Sequence, residues 1–151
     1  LVVIDGLDVY ELAVFKDPAT GELRLACGTR IKNPRGQTGD VRVFDPVAGG
    51  DPLLVVDVGS CVKALAFFVD PATGAPRLAC GTSMNYGRSE NKVLVVDPVA
   101  GGEALLVLEM DDEVDALPAF TEPATGEPRL ACASGEKVLV FDPVAGGNAL
   151  L

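Results

Sequence analysis

Histidine is absent from this 151-residue sequence, and so is tryptophan. Without histidine no Ser-His or Cys-His dyad can form, which removes the commonest routes to nucleophilic catalysis. Aromatic residues make up only 5% of the chain, so Val, Leu and Ala must fill the core. Cations are scarce: 12 Lys and Arg stand against 22 Asp and Glu, a formal net charge of −10. That balance disfavours nucleic acid or an anionic membrane as a partner. No apolar run approaches the roughly 20 residues that a membrane-spanning helix needs. There is no Cys-x-x-Cys pair, and Leu1 lies inside a strand-like apolar run with no signal-peptide layout. A chain that begins in mid-element is expected to be a piece of something longer.

What is present is repetition. Hydrophobic residues reach 48% with a mean hydropathy of +0.32, which argues against disorder. Asp-Pro-Val-Ala-Gly-Gly occurs at Asp45–Gly50, Asp97–Gly102 and Asp142–Gly147. Pro-Ala-Thr-Gly occurs at Pro18, Pro71 and Pro123. The phrase Leu-Ala-Cys places cysteines at 27, 80 and 132, spacings of 53 and 52 residues. A period of this length marks a repeat architecture. The repeats run over roughly 1–52, 53–104 and 105–151. Equivalent cysteines in neighbouring repeats are not expected within bonding range, about 4.4–6.8 Å between Cα atoms. With Cys61 they read as small buried residues in a reducing, cytoplasmic compartment.

Each repeat carries four short runs rich in Val, Leu, Ala and Phe, separated by turn signals, and so predicts four strands. The first runs are 1–4, 53–56 and 105–108; the second are 9–15, 62–69 and 114–120. The third are 23–28, 77–81 and 129–133; the fourth are 41–44, 93–96 and 138–141. Helical spacing is absent, and the Pro and Gly between runs would break helices. Pro118 falls inside one run and predicts a distorted strand. In an up-and-down sheet, loops alternate between its ends. The uniform loops, Asp-Pro-Ala-Thr-Gly and Asp-Pro-Val-Ala-Gly-Gly, therefore share one end and read as scaffold. The varied loops share the other. These are 29–40, 82–92 and 134–137, together with 5–8, 57–61 and 109–113. Binding residues tend to sit on loops held by a rigid scaffold.

Val41-Arg42-Val43-Phe44-Asp45, Val93-Leu94-Val95-Val96-Asp97 and Val138-Leu139-Val140-Phe141-Asp142 resemble the segment that ends in Trp-Asp in WD-repeat proteins. Leu-Ala-Cys-Gly-Thr resembles that family's Leu-Ala-Ser-Gly-Ser strand, and Val62–Phe67 its innermost strand. Phe44, Val96 and Phe141 stand where the family has Trp, and its Gly-His dipeptide is missing. The resemblance implies an all-β fold: a β-propeller of four-stranded antiparallel blades, three per chain. It also implies a rigid platform for protein–protein assembly and no enzyme activity. Three blades are too few to close a ring. Closure is expected from further blades or from a second copy, with Leu1, Val2, Val3 and Ile4 pairing with the Val138–Phe141 strand of that copy. A homodimer would then make a six-bladed ring and hide raw sheet edges.

The candidate binding residues are the cations and the aromatic of the varied inserts: Arg30, Lys32 and Arg35 in the first repeat, Tyr86, Arg88 and Lys92 in the second. Tyr and Arg are frequent hot-spot types, and an acidic partner segment would suit the cations. The acidic run Asp111, Asp112, Glu113, Asp115 lacks the spacing of a calcium loop and reads first as a solvated loop. Paired carboxylates for glycoside hydrolysis, with Asp5 and Asp8, arise readily by chance in so acidic a chain. Cys61 beside Lys63 reads first as an inert thiol. No cofactor or metal is expected. Two alternatives to a binding scaffold stay open: a self-assembling, even engineered, structural array without a ligand, and a carbohydrate-binding or hydrolytic propeller.

Overall fold

Valine-rich runs cut every few residues by Asp-Pro and Gly have no route to helix, and all regular structure among the described residues is β-strand. The computed structural model describes residues 1–83 and 90–151. Strands β1 (Val9–Lys16), β2 (Leu23–Thr29), β5 (Asp40–Phe44) and β6 (Leu54–Asp57) form a first antiparallel sheet in that order. The insert between β2 and β5 folds its own hairpin, β3 (Ile31–Asn33) and β4 (Gly36–Thr38). The second sheet is β7 (Cys61–Val69), β8 (Pro76–Ser83), β9 (Lys92–Val96) and β10 (Leu106–Glu109), again in sequence order. In the third, β11 (Val114–Ala116) and β12 (Ala119–Thr121) lie along one side of β13 (Pro128–Ser134), and β14 (Lys137–Phe141) lies along the other.

Leu117 and Pro118 separate β11 from β12, the distortion that Pro118 predicts. The ladder bridges the gap through the Pro118 carbonyl, which accepts from the Ala131 amide at 3.0 Å. Each sheet's first strand also carries an irregularity two residues after its leading valine begins to pair, at Val9/Glu11, Val62/Ala64 and Val114/Ala116. The irregularity resets the alternation of faces. On β7 it lets Val62, with Leu65 and Phe67, serve one core, while Ala64, Ala66 and Phe68 serve another.

Those two cores stack the sheets face to face. Phe15, Ala26, Val41, Val43 and Val56 of the first sheet pack on Val62, Leu78, Cys80 and Val96 of the second. The rings of Phe15 and Phe67 stack across this joint with centroids 4.8 Å apart. Phe68, Ala79, Val93, Val95 and Leu108 pack on Val114, Leu130, Cys132 and Phe141 of the third. Leu78 and Leu130 occupy equivalent places and are fully buried, each stabilising the fold by about 1.5–3 kcal/mol. The same close approach recurs at both joints. A Cβ on Gly28 would lie 2.7 Å from Val62 Cγ1, and one on Gly81 would lie 2.4 Å from Val114 Cγ1. At the equivalent place in the third sheet stands Ala133.

The uniform loops gather at one end and are built alike. Oδ1 of Asp45, Asp97 and Asp142 each accepts the amides two and three residues on, at 2.8–2.9 Å. Both glycines that follow take positive φ, as at Gly49 (70°) and Gly50 (85°), where a side chain would be strained. Arg77 and Arg129 tie Asp97 and Asp142 back to their own sheets at 3.3 and 3.4 Å.

The run Leu1–Ile4 forms no strand. Its place is nonetheless that of a repeat. Val2 packs on Gly49 as Leu54 packs on Gly101 and Leu106 on Gly146, with nearest approaches of 2.7, 2.8 and 2.6 Å to a Cβ built on each glycine. Leu150 and Leu151 begin a fourth strand on the third sheet through Leu150 N to Val140 O (2.6 Å) and Val140 N to Leu151 O (3.0 Å).

A cleft at the varied end

The varied loops meet at the opposite end from the uniform turns, and backbone contacts fix how they meet. The amides of Val58 and Gly59 donate to Gly39 O at 3.1 and 3.2 Å, and the Met110 amide donates to Asn91 O at 2.9 Å. Gly39 is wedged so tightly that a Cβ would lie 2.4 Å from both Ser60 O and Thr29 O. The short third loop is held by Ser134 Oγ donating to Asp112 O at 2.9 Å and by Lys137 paired with Asp111 at 3.4 Å.

Where the first strands converge, a cleft of about 330 Å³ opens, lined by Tyr10, Arg30, Gln37, Cys61, Lys63, Ser83 and Glu113. Its architecture follows from the strand irregularities. The residue after the leading valine is Tyr10 in β1, Lys63 in β7 and Asp115 in β11. One structural position therefore carries an aromatic ring, a cation and an anion in turn. Lys63 Nζ lies 2.6 Å from Glu113 Oε2 and 3.3 Å from Asp115 Oδ1. These contacts, led by the hydrogen bond to Glu113, raise its pKa and keep it charged. Arg30 pairs with Asp8 at 2.7 Å and lies over the Tyr10 ring at 4.9 Å from its centroid. The arrangement is a mixed-charge, half-open surface. It offers hydrogen-bond donors and an aromatic face, the makings of a recognition site.

Of the six expected binding residues four are described, and only Arg30 among them lines the cleft. Lys32 and Arg35 sit out on the β3–β4 hairpin, where among the described residues neither side chain meets a carboxylate. Tyr86 and Arg88 lie outside the described residues. Lys92 is the first residue of β9, and its ammonium faces Glu109 of β10 at 3.7 Å. Tyr10, Lys63 and Ser83 were not singled out from the sequence as binding residues, and Glu113 only within the acidic run. The signal for Tyr10 and Lys63 is the residue type that changes from repeat to repeat just after the leading valine.

The acidic run is consumed locally. Asp111 meets Lys137, Asp112 accepts the Glu113 amide, and Glu113 and Asp115 meet Lys63. Among the described residues no three His, Cys, Asp or Glu side chains converge as a metal-ligand set. Asp8, a candidate for paired-carboxylate chemistry, is held by Arg30. All four cysteines are free and buried. Burial pushes the Cys80 thiol up to about 12 and the Cys132 thiol to about 11, and raises that of Cys27. Such thiols stay protonated and unreactive near neutral pH. Compared with known proteins, the sequence matches no family model and no curated relative.

Proposed function

We propose that the three sheets are blades of a WD-repeat-like β-propeller, and that the protein is a binding and assembly scaffold that takes a protein partner on its varied end. One observation carries this reading: equivalent positions are nearly identical at the turn end and chemically different at the cleft end, as in Tyr10, Lys63 and Asp115. Uniform turns keep a frame, and varied loops on a frame serve recognition. The fold analogy contributes the class of function and no more.

The partner's chemistry follows from which charges are already satisfied. Arg30 and Lys63 have internal carboxylates, whereas Lys32 and Arg35 project from the hairpin beside the cleft. An acidic peptide segment suits that tip, with Tyr10 as an aromatic neighbour. Fluorescence anisotropy with a labelled Glu-rich peptide tests it. Lys32→Glu with Arg35→Glu is expected to weaken binding about tenfold or more at low salt. Equal affinity for the double variant and the parent chain would remove the hairpin from the proposal. The free, buried thiols are consistent with a reducing, cytoplasmic setting.

A further inference from the structure

The cleft at the varied end holds charges that are already satisfied and hydrogen-bonding groups that are not. Arg30 is held by Asp8, and Lys63 by Glu113 and Asp115. A charged ligand must therefore compete with an internal ion pair, whichever its sign. Nε and Nη2 of Arg30 serve Asp8, which leaves Nη1. Lys63 directs its ammonium to Oε2 of Glu113 and Oδ1 of Asp115, two bonds for three donors, and leaves Oε1 of Glu113 open. Ser83 lines the cleft and is only 6% exposed. Among the described residues its hydroxyl meets no partner, an uncommon state for a buried polar group.

The repeat shows why a recess opens at this place. In the first repeat the residue before the leading valine is Asp8, and Arg30 lies across from it, its amide donating to Asp8 O at 2.9 Å. Their side chains fill the position with an ion pair. In the second repeat the same two positions are Cys61 and Ser83, paired between β7 and β8. Both are small, neutral and buried. Two small side chains in place of a large ion pair leave room, and that room is walled by Tyr10 and Arg30 of the first repeat and by Lys63 and Glu113.

We propose that this recess binds a neutral sugar, one pyranose ring bearing a vicinal diol. The Lys63–Glu113 pair sets a donor beside an acceptor, with Nζ and Oε2 2.6 Å apart. A vicinal diol complements that pattern, because each hydroxyl both donates and accepts. One hydroxyl donates to Oε1 of Glu113 while its neighbour accepts from Nζ of Lys63. Bonds to charged groups are the strong kind, and the diol gains them without breaking either ion pair. Ser83 takes a further hydroxyl at the buried side. Tyr10, 42% exposed, gives an aromatic surface for the C–H face of the ring. The volume of about 330 Å³ lies at the small end of the range for small-molecule sites, about 300–1,000 Å³, and suits a single sugar residue. A carboxylate or an ammonium ligand finds no unpaired charge here to neutralise it. The inference is separate from the acidic peptide assigned to the hairpin tip, since it uses neither Lys32 nor Arg35.

Heteronuclear NMR titration of the 151-residue chain with the methyl glycosides of glucose, mannose and galactose gives the test. At least one of the three is expected to give saturable, millimolar shifts centred on the amides of Tyr10, Arg30, Lys63, Ser83 and Glu113. Ser83→Ala and Glu113→Ala are each expected to weaken binding about fivefold to tenfold, and Tyr10→Ala by about as much. The amide spectrum of each variant shows whether it still folds. Glucosamine and methyl glucuronide carry a similar ring with a charge of either sign, and both are expected to bind no more tightly than the best neutral glycoside. Absence of saturable shifts at the cleft with all three neutral glycosides overturns the proposal. So does binding that Tyr10→Ala, Ser83→Ala and Glu113→Ala all leave unchanged. Tighter binding of either charged sugar overturns the neutral class of ligand. Peptide binding at the hairpin is measured by anisotropy in a separate titration, so a failure of one proposal is distinguishable from a failure of the other.

Discussion

The two ends of this molecule are made from the same strands and yet obey different rules. At the turn end, three copies of one phrase make one set of bonds. Asp caps two amides, paired glycines reverse the chain, and the turn glycine receives a side chain from the neighbouring outer segment. At the cleft end, every copy differs. A hairpin fills the first loop, the third is a four-residue turn, and Lys63 of the second sheet pairs with Glu113 and Asp115 at the start of the third. The difference teaches that joints between stacked sheets need a fixed geometry at only one end. Once that end and the two cores set the spacing, the other end is free to vary in length and charge.

The largest effect is expected where the varied end is not free. Gly39→Ala drives a Cβ into two carbonyl oxygens and is expected to cost about 3 kcal/mol, seen as a lower midpoint in urea. A silent Gly39→Ala would mean that the cleft end adapts even at its backbone. Next is the turn end. Asp97→Ala removes the acceptor of two amides and the partner of Arg77, a loss of about 1–2 kcal/mol. Asp97→Asn keeps the acceptor and is expected to recover most of it.

The pH dependence separates the cores from the ends. The Cys80 and Cys132 thiols have raised pKa values, near 12 and 11, so the stability they contribute is complete below the unfolded thiol's pKa. It is lost as pH rises through the window from about 8.5 upward. Cys80→Ala, at the joint of the first two sheets, is expected to flatten that alkaline limb of a pH–melting curve. At the turn end Asp45 behaves oppositely. The amides of Ala48 and Val47 lower its pKa, so its contribution is present above the unfolded carboxyl value and fades as pH falls through the folded one. Asp45→Asn is expected to soften the acid limb. The smallest effect belongs to the cleft. Lys63→Ala is expected to change stability by less than about 1 kcal/mol, since half-exposed ion pairs contribute little, while altering binding at the cleft. A larger loss would make Lys63 part of the frame.

Much of the frame was legible in the sequence because its causes are local. Asp-Pro and Gly-Gly dictate turns at fixed offsets, and alternating Val and Leu dictate strands, so all four strands of the second repeat, β6 to β9, lie within a few residues of their expected places. Pro118 breaks its strand because proline lacks an amide anywhere. The site was less legible. Lys92 reads as loop by its neighbours, and only pairing with β10 makes it strand. Leu1–Ile4 reads as strand by composition, yet it joins none of the sheets among the described residues. Tyr10 and Lys63 lie 53 residues apart in sequence; nothing local announces that they line one cleft.

The sequence by itself determined the strands, the turns, the repeat length and which loops share an end, since each follows from backbone restrictions within a few residues or from strand parity. The tertiary structure decided which faces meet. It set the close approach at Gly28 and Gly81 and the convergence of Tyr10, Lys63 and Glu113 on one cleft. Those depend on how one sheet's side chains fill the space above another, a property of the stacked pair that neither sheet holds alone.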